Sequence, residues 1–242
     1  MYPNYKELLE NLLHELAPLN AAIRSHAETV SVMASKRQDW NGVKDHAESL
    51  LENTFLFNTH VDMVNFHLNP GFFTTQKPAK RDLYGKFKKS RISFQRIAKN
   101  KNITLNLEGA PSQLIDSYFV IDTLPNLLLD NALKYATRSS EVWIEIEDEG
   151  DTVQVKVSNE GPHITESEID SLFDRGFRSE EATKTNTQGS GYGMSFIKYI
   201  CDIHNAKLKV ESAPNTYSLS GVMYSTFTVE ITFQKSLQEA FV

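Results

Sequence analysis

From Tyr5 to about Lys36 the residues Leu8, Leu9, Leu12, Leu13, Leu16, Leu19, Ile23 and Val30 recur at spacings of three and four. A run that long and that regular predicts a long helix with a broad apolar face. The stretch KRQDWNG reads as a turn, with Asn41-Gly42 as its stop signal. Val43 to about Leu68 then resumes the period through Ala47, Leu50, Leu51, Phe55, Val61, Val64 and Leu68. The two arms make a helical hairpin. Neither face can be covered by the other arm alone, so pairing with a second hairpin into a four-helix bundle, and hence a homodimer, is expected.

Asn69-Pro70-Gly71 ends this pattern and marks a boundary between a helical domain, residues 1–70, and a mixed domain, residues 71–242. In the second, Phe72 to Gln76 reads as a short strand and Asp82 to Lys99 as a helix, with Leu83, Phe87, Ile92 and Ile97 inward. Asn102 to Leu107 alternates as a strand, and Phe119 to Ala136 reads as helical despite Pro125. Glu141 to Glu147 and Thr152 to Ser158 alternate as a hairpin across Glu149-Gly150-Asp151. A short helix at Ser167 to Phe173, a polar, mobile loop at Asp174 to Gln188, a helix at Tyr192 to Asn205 and strands at Lys207 to Glu211 and Met223 to Phe233 complete the reading. Strands segregated from helices predict an α+β class, with an α/β sandwich following the hairpin.

Composition narrows the setting. No apolar tract is long enough to span a membrane, and MYPNYKELLE lacks a signal-peptide pattern, so a cytoplasmic protein is expected. The single cysteine, Cys201, excludes an internal disulfide and reads as a small core residue. A net charge of −6 argues against general nucleic-acid binding, although ten Lys or Arg face one acid between Lys77 and Lys101, which reads as a solvated basic helix face.

In GSGYGMSFIKYI, Gly189, Gly191 and Gly193 lead into an amphipathic helix carrying Met194, Ile197, Ile200 and Cys201. Such glycines let backbone approach a ligand, and the N–H groups opening a helix attract phosphate. No Gly-Lys-Ser/Thr follows, and a polar loop rather than a strand precedes, so the common phosphate loops do not fit.

Four segments in order, LLHELAPLN, NLLLDNALKYA, SNEGPHI and GSGYGM, resemble the transmitter region of bacterial sensor histidine kinases. That region is a dimerising hairpin with a phospho-accepting histidine, followed by an ATP-binding domain of the gyrase, Hsp90, histidine kinase and MutL superfamily. The resemblance implies that His14 is the phosphorylated histidine and Glu15 its acid partner. An exposed neutral imidazole is a good nucleophile near pH 7, and a neighbouring carboxylate can take its other proton. Asn131 then corresponds to the ligand of Mg²⁺ that bridges the nucleotide phosphates; an amide oxygen is a hard neutral donor suited to that ion. Lys134 falls on the same helix face and could offset phosphate charge, and Tyr135 adds a ring beside the nucleotide. Asn159 and Gly161 match the adenine-reading segment, where the family more often has Asp first, with Ile164 on the apolar side of the base. An Asn oxygen still accepts from the exocyclic amine. Phe173 and Phe177 resemble the aromatic pair before a lid, and Arg175, Arg178 and Lys184 are the candidates for a cation closing over the triphosphate. Gly189, Gly191, Tyr192, Gly193 and Met194 form the phosphate loop.

The departures are specific. Pro18 lies four residues after His14 where the family places proline five after, so the carbonyl of His14 loses its helical donor. That spacing also removes the Thr or Asn that would position a water, and weak phosphatase activity is expected. Asn126 precedes Asn131 by five residues rather than four, which predicts a π-bulge, with Asp130 as a rival metal ligand. His163 stands where a second glycine is common. The resemblance implies an ATP-dependent protein-histidine kinase that uses Mg²⁺ and passes phosphate to a response-regulator receiver domain, its signal arriving through a separate sensor or a longer chain. The alternative is a phosphotransfer hub or pseudokinase scaffold that binds regulators without turning over ATP.

Overall fold

The computed structural model describes the backbone of residues 5–36, 40–185, 187 and 189–237, and the side chains of these except 5–15 and 35–36. The chain divides into two compact units between Pro70 and Gly71.

The first unit is two helices, α1 (Tyr5–Lys36) and α2 (Trp40–Leu68). They pack along one another, with Nδ1 of His26 2.9 Å from Nδ1 of His46. Asn41 and Gly42 lie in the first turn of α2 rather than in a preceding turn. Backbone N–H groups there have no intrahelical partner, so weak helix formers cost little at that position. α1 continues through Pro18.

The second unit begins with a 3₁₀ turn, Pro70–Thr74, where a strand was expected. The hydroxyls of Thr74 and Thr75 donate to the carbonyls of Gly71 and Phe72 and hold the turn. Phe73, fully buried, contacts Phe119, Phe196 and Tyr199 with ring centroids 5.5–6.0 Å apart. Burial of this aromatic residue outweighs its strand propensity. Then come β1 (Ala79–Asp82), α3 (Leu83–Asn100), β2 (Thr104–Gly109), β3 (Leu114–Ser117), a 3₁₀ turn at Phe119–Asp122, α4 (Leu124–Tyr135), β4 (Glu141–Asp148) and β5 (Thr152–Pro162). After them lie α5 (Glu166–Ile169), a 3₁₀ turn at Asp170–Phe173, α6 (Glu180–Lys184), α7 (Gly193–Ile203), β6 (Lys207–Ser212), β7 (Tyr217–Leu219) and β8 (Val222–Gln234).

The main sheet runs β2-β4-β5-β8-β6, with β7 added to β8, and every pair is antiparallel except β2 with β4. β1 and β3 form a separate antiparallel pair. Alternation puts Val142, Ile144, Ile146, Val153, Val155, Val157, Val229, Ile231 and Phe233 on one buried face of the sheet. Phe87, Phe94, Leu129, Phe196 and Ile200 from α3, α4 and α7 complete the core. Helices α3 and α7 are each followed by an asparagine at positive φ, Asn102 (56°) and Asn205 (50°). Its amide bonds back to the last turn, on Lys99 and Asp202 respectively. The polar side chain makes that left-handed position tolerable without glycine.

α4 is regular throughout, so the expected π-bulge is absent. Asn126, buried, instead accepts a hydrogen bond from the Ser90 hydroxyl at 2.7 Å. The extra residue ahead of Asn131 is used to tie α4 to α3.

Candidate nucleotide site

The sequence motifs of the second unit come together on the helix side of the sheet. In β5, Val153, Val155, Val157, Asn159 and Gly161 follow one another on the buried face. Over the last of these lies Tyr135, at the C-terminus of α4. A Cβ placed on Gly161 would stand 3.9 Å from the Cβ of Tyr135, and one on Gly189 would stand 3.5 Å from its hydroxyl oxygen. Tyr135 therefore links β5 to the glycine loop. The end of α4 is itself held from outside: the ammonium of Lys101 bonds the carbonyls of Leu133 and Lys134. Burial, with the nearby Arg138, holds the Lys101 pKa below its usual value. A cation on these last carbonyls satisfies groups the helix leaves open.

Gly191 has φ +74°, and a Cβ there would fall 2.6–2.8 Å from backbone atoms of Gly176 and Phe177. Only glycine fits, and the fit is fastened by a hydrogen bond from the Gly176 N–H to the Gly191 carbonyl, 3.1 Å. α7 starts at Gly193 after Tyr192, has no acid in its first turn, and buries Met194. Its opening N–H groups therefore meet an incoming anion without a competing carboxylate.

The side-chain cations are less available. Lys134 pairs with Asp130, Nζ to Oδ2 2.6 Å, which also occupies the rival metal ligand. Arg178 turns back on its own segment, its Nη2 donating to the carbonyls of Ala182 and Thr187 at 2.9 and 2.8 Å. Lys184 pairs with Glu180 and Glu181. Asn131 is half-buried on α4. Ile164 is buried just beyond β5, its N–H donating to the Ser212 hydroxyl. His163 bonds the hydroxyls of Ser225 and Ser212 through Nδ1. The helix of α1 runs through His14 and Glu15, but their side chains lie outside the described residues.

Between Asp174 and Gln188, where a mobile loop was expected, α6 is tied down by two carboxylates. Glu168 caps its own helix by accepting from Thr165 and, with its other oxygen, accepts from the Glu180 N–H at 2.8 Å. Burial opposes ionisation of Glu168, but these hydrogen bonds together outweigh it and hold the carboxyl below its ordinary range. Glu181 accepts from the Met223 N–H of β8 at 2.7 Å. Neither residue figured in the reading of the site, although Thr165 and Glu168 show the Thr-x-x-Glu spacing of a capping box.

Residues 122–235 match the model of the histidine kinase-, DNA gyrase B-, and HSP90-like ATPase family. The match lies wholly within the second unit. Over 213 residues, 85% of its length, it is 26% identical to the histidine protein kinase SaeS of Staphylococcus aureus strains such as MSSA476 and MRSA252, and spans 59% of those relatives. The catalytic domain of histidine kinase ThkA superposes with a TM-score of 0.54 at 21% identity, covering 66% of this chain and 97% of that one. The Acinetobacter baumannii histidine kinase AdeS covers 92% of this chain and 98% of its own, at a TM-score of 0.51 and 17% identity. Full-length ShkA, solved with AMPPNP, covers 96% of this chain and 47% of its own, at 0.53 and 15%. In sequence and fold the molecule resembles the transmitter region of sensor histidine kinases, two helices followed by a domain of the ATPase fold. Among the described residues no helix is long and apolar enough to cross a membrane, and no cluster of three His, Cys, Asp or Glu could hold a metal.

Proposed function

We propose that the chain is the core of an ATP-dependent protein-histidine kinase, acting in the cytoplasm as a homodimer joined through its helical hairpin. The observation that carries this reading is Tyr135 packed between Gly161 and Gly189, which joins the metal-ligand helix, the base-reading strand and the phosphate loop in one site. Asn159 and Ile164 receive the base. The Gly189–Met194 segment and the opening of α7 hold the phosphates through backbone N–H groups. The amide oxygen of Asn131 would help hold a Mg²⁺, which would offset phosphate charge. Lys134 reaches phosphate by leaving Asp130, and Arg178 by leaving the carbonyls of its own segment. The imidazole of His14 attacks the γ-phosphorus as the bond to ADP breaks, Glu15 takes the imidazole proton, and the phosphate passes to an aspartate of a response-regulator receiver. Positioning for in-line attack and neutralising phosphate charge supply most of the acceleration.

A scaffold that binds regulators without turnover is the second reading, favoured by Pro18, which removes the helical donor to the His14 carbonyl. Incubation with Mg²⁺ and γ-labelled ATP separates the two. Acid-labile, base-stable label present in the wild type and lost in His14→Ala is expected; unlabelled protein that still binds Mg-ATP supports the scaffold.

A further inference from the structure

Asn159 is 5% exposed, yet its carboxamide bonds to none of the described residues, and neither of its polar atoms is sealed off. The amide points along β5: its Nδ2 lies 3.1 Å from where a Cβ of Gly161 would be. Glycine there leaves a space in front of a buried, unpartnered amide, with Tyr135 closing the far side. An amide with no protein partner and polar atoms still open is free to bond a ligand that enters this space.

The neighbouring carboxylates stay out of this space. Glu160 faces the other side of the sheet, its Oε2 accepting from the hydroxyls of Thr137 and Tyr217 at 3.1 and 3.0 Å. Both oxygens of Glu168 are engaged by Thr165 and Glu180, and those of Glu181 by Lys184 and Met223. The polar group facing the space from β5 is therefore a neutral one that both donates and accepts.

A carboxylate can only accept, which suits the 6-amino group of adenine and repels the 6-oxo group of guanine. A carboxamide serves either, by turning over. We infer that this site takes 6-oxopurine as well as 6-aminopurine nucleotides, so that Mg-GTP binds and serves as a phosphoryl donor alongside Mg-ATP. The inference rests on the nucleotide reading given above and concerns which base is admitted. Asn159 accommodates both through the orientation of its amide: Oδ1 accepts from the amine of adenine, and after a flip Nδ2 donates to the oxygen of guanine. A repulsive group is one source of rejection of a wrong base, and β5 turns none toward this space.

The test is calorimetric titration of the full chain with Mg-ATP and with Mg-GTP, for the wild type and Asn159→Asp. The wild type is expected to bind the two within tenfold of each other. Asn159→Asp is expected to weaken GTP at least a hundredfold while ATP stays within tenfold. Label from γ-labelled GTP should reach the wild type and not Asn159→Asp. A wild-type preference for ATP of a hundredfold or more overturns the inference, and so does an unchanged ratio in Asn159→Asp. Should that variant fail to fold, the wild-type ratio decides alone. Binding of neither nucleotide overturns the nucleotide reading itself and is thereby distinguished from a failure of base choice.

Discussion

The hairpin and the sheet domain bury different kinds of residue. In the sheet domain Phe73, Phe87, Phe94, Phe196 and Phe233 are all fully buried. In the hairpin the buried hydrophobic residues among those described are Met63 and Phe66, and Ser49, Thr59 and His60 are also buried, each bonded to a carbonyl one turn back in its own helix. Leu51 remains 58% exposed and Val32 51%. The difference teaches that the sheet domain is built on enclosed aromatic side chains, whereas the hairpin carries apolar surface that a second copy would cover.

The largest effect should come from the closed core. Phe196→Ala removes a side chain that packs against Phe73 and Tyr199, and a loss of about 3–5 kcal/mol is expected in denaturant unfolding. A loss below 1 kcal/mol would break the contrast, since it would mean the core can collapse around the gap.

His204 sharpens the contrast through pH. It is buried, its Nδ1–H donates to the Ile200 carbonyl, and its Nε2 accepts from the Tyr118 N–H. Burial lowers its pKa from 6.5 to about 4. The unfolded chain therefore takes up a proton near pH 6.5 and the folded one only near pH 4. This contribution to stability is complete above pH 6.5 and is lost as pH falls from 6.5 towards 4, by roughly 3 kcal/mol. Unfolding at pH 7.5 and 4.5 measures it, and His204→Gln should lose that part of the pH dependence.

Leu51→Lys tests the open unit. If a second hairpin covers Leu51, the change should weaken dimerisation of the full chain by roughly 2 kcal/mol in sedimentation, the scale for burying one leucine. Unfolding of the sheet domain should be unchanged. The smallest effect is expected for Ser90→Ala, which removes one donor to the buried Asn126 and should cost about 1 kcal/mol.

Much of this architecture is legible in the sequence because its signals are local. The three-and-four spacing of α1 and α2, the alternation of β4 and β5, and the glycines before α7 each report on their own surroundings. The parts that were not legible depend on distant partners. β1 and β3 are four residues each and exist through pairing with one another, Ala79 opposite Ser117. The parallel pairing of β2 with β4 joins segments separated by α4. Asn126 reads as a defect in a motif until Ser90 is seen across from it. α6 looks like loop because two of the groups fixing it, Glu168 and the Met223 N–H, lie outside its own sequence. At the site, Gly191 was singled out by the glycine pattern and Gly161 and Tyr135 by the family resemblance, whereas the pairing of Lys134 with Asp130 and the folding back of Arg178 required coordinates.

The central claim is that the glycine loop and Tyr135 complete a nucleotide site within the sheet domain. Titrating Mg-ATP into the full chain and into Gly191→Ala, with thermal unfolding of both, tests it most directly. The account predicts binding to the wild type and a loss of at least a hundredfold in the variant, in which a Cβ is forced against the backbone of Gly176 and Phe177 while the remote core still unfolds cooperatively. Equal affinity in the two proteins would contradict it.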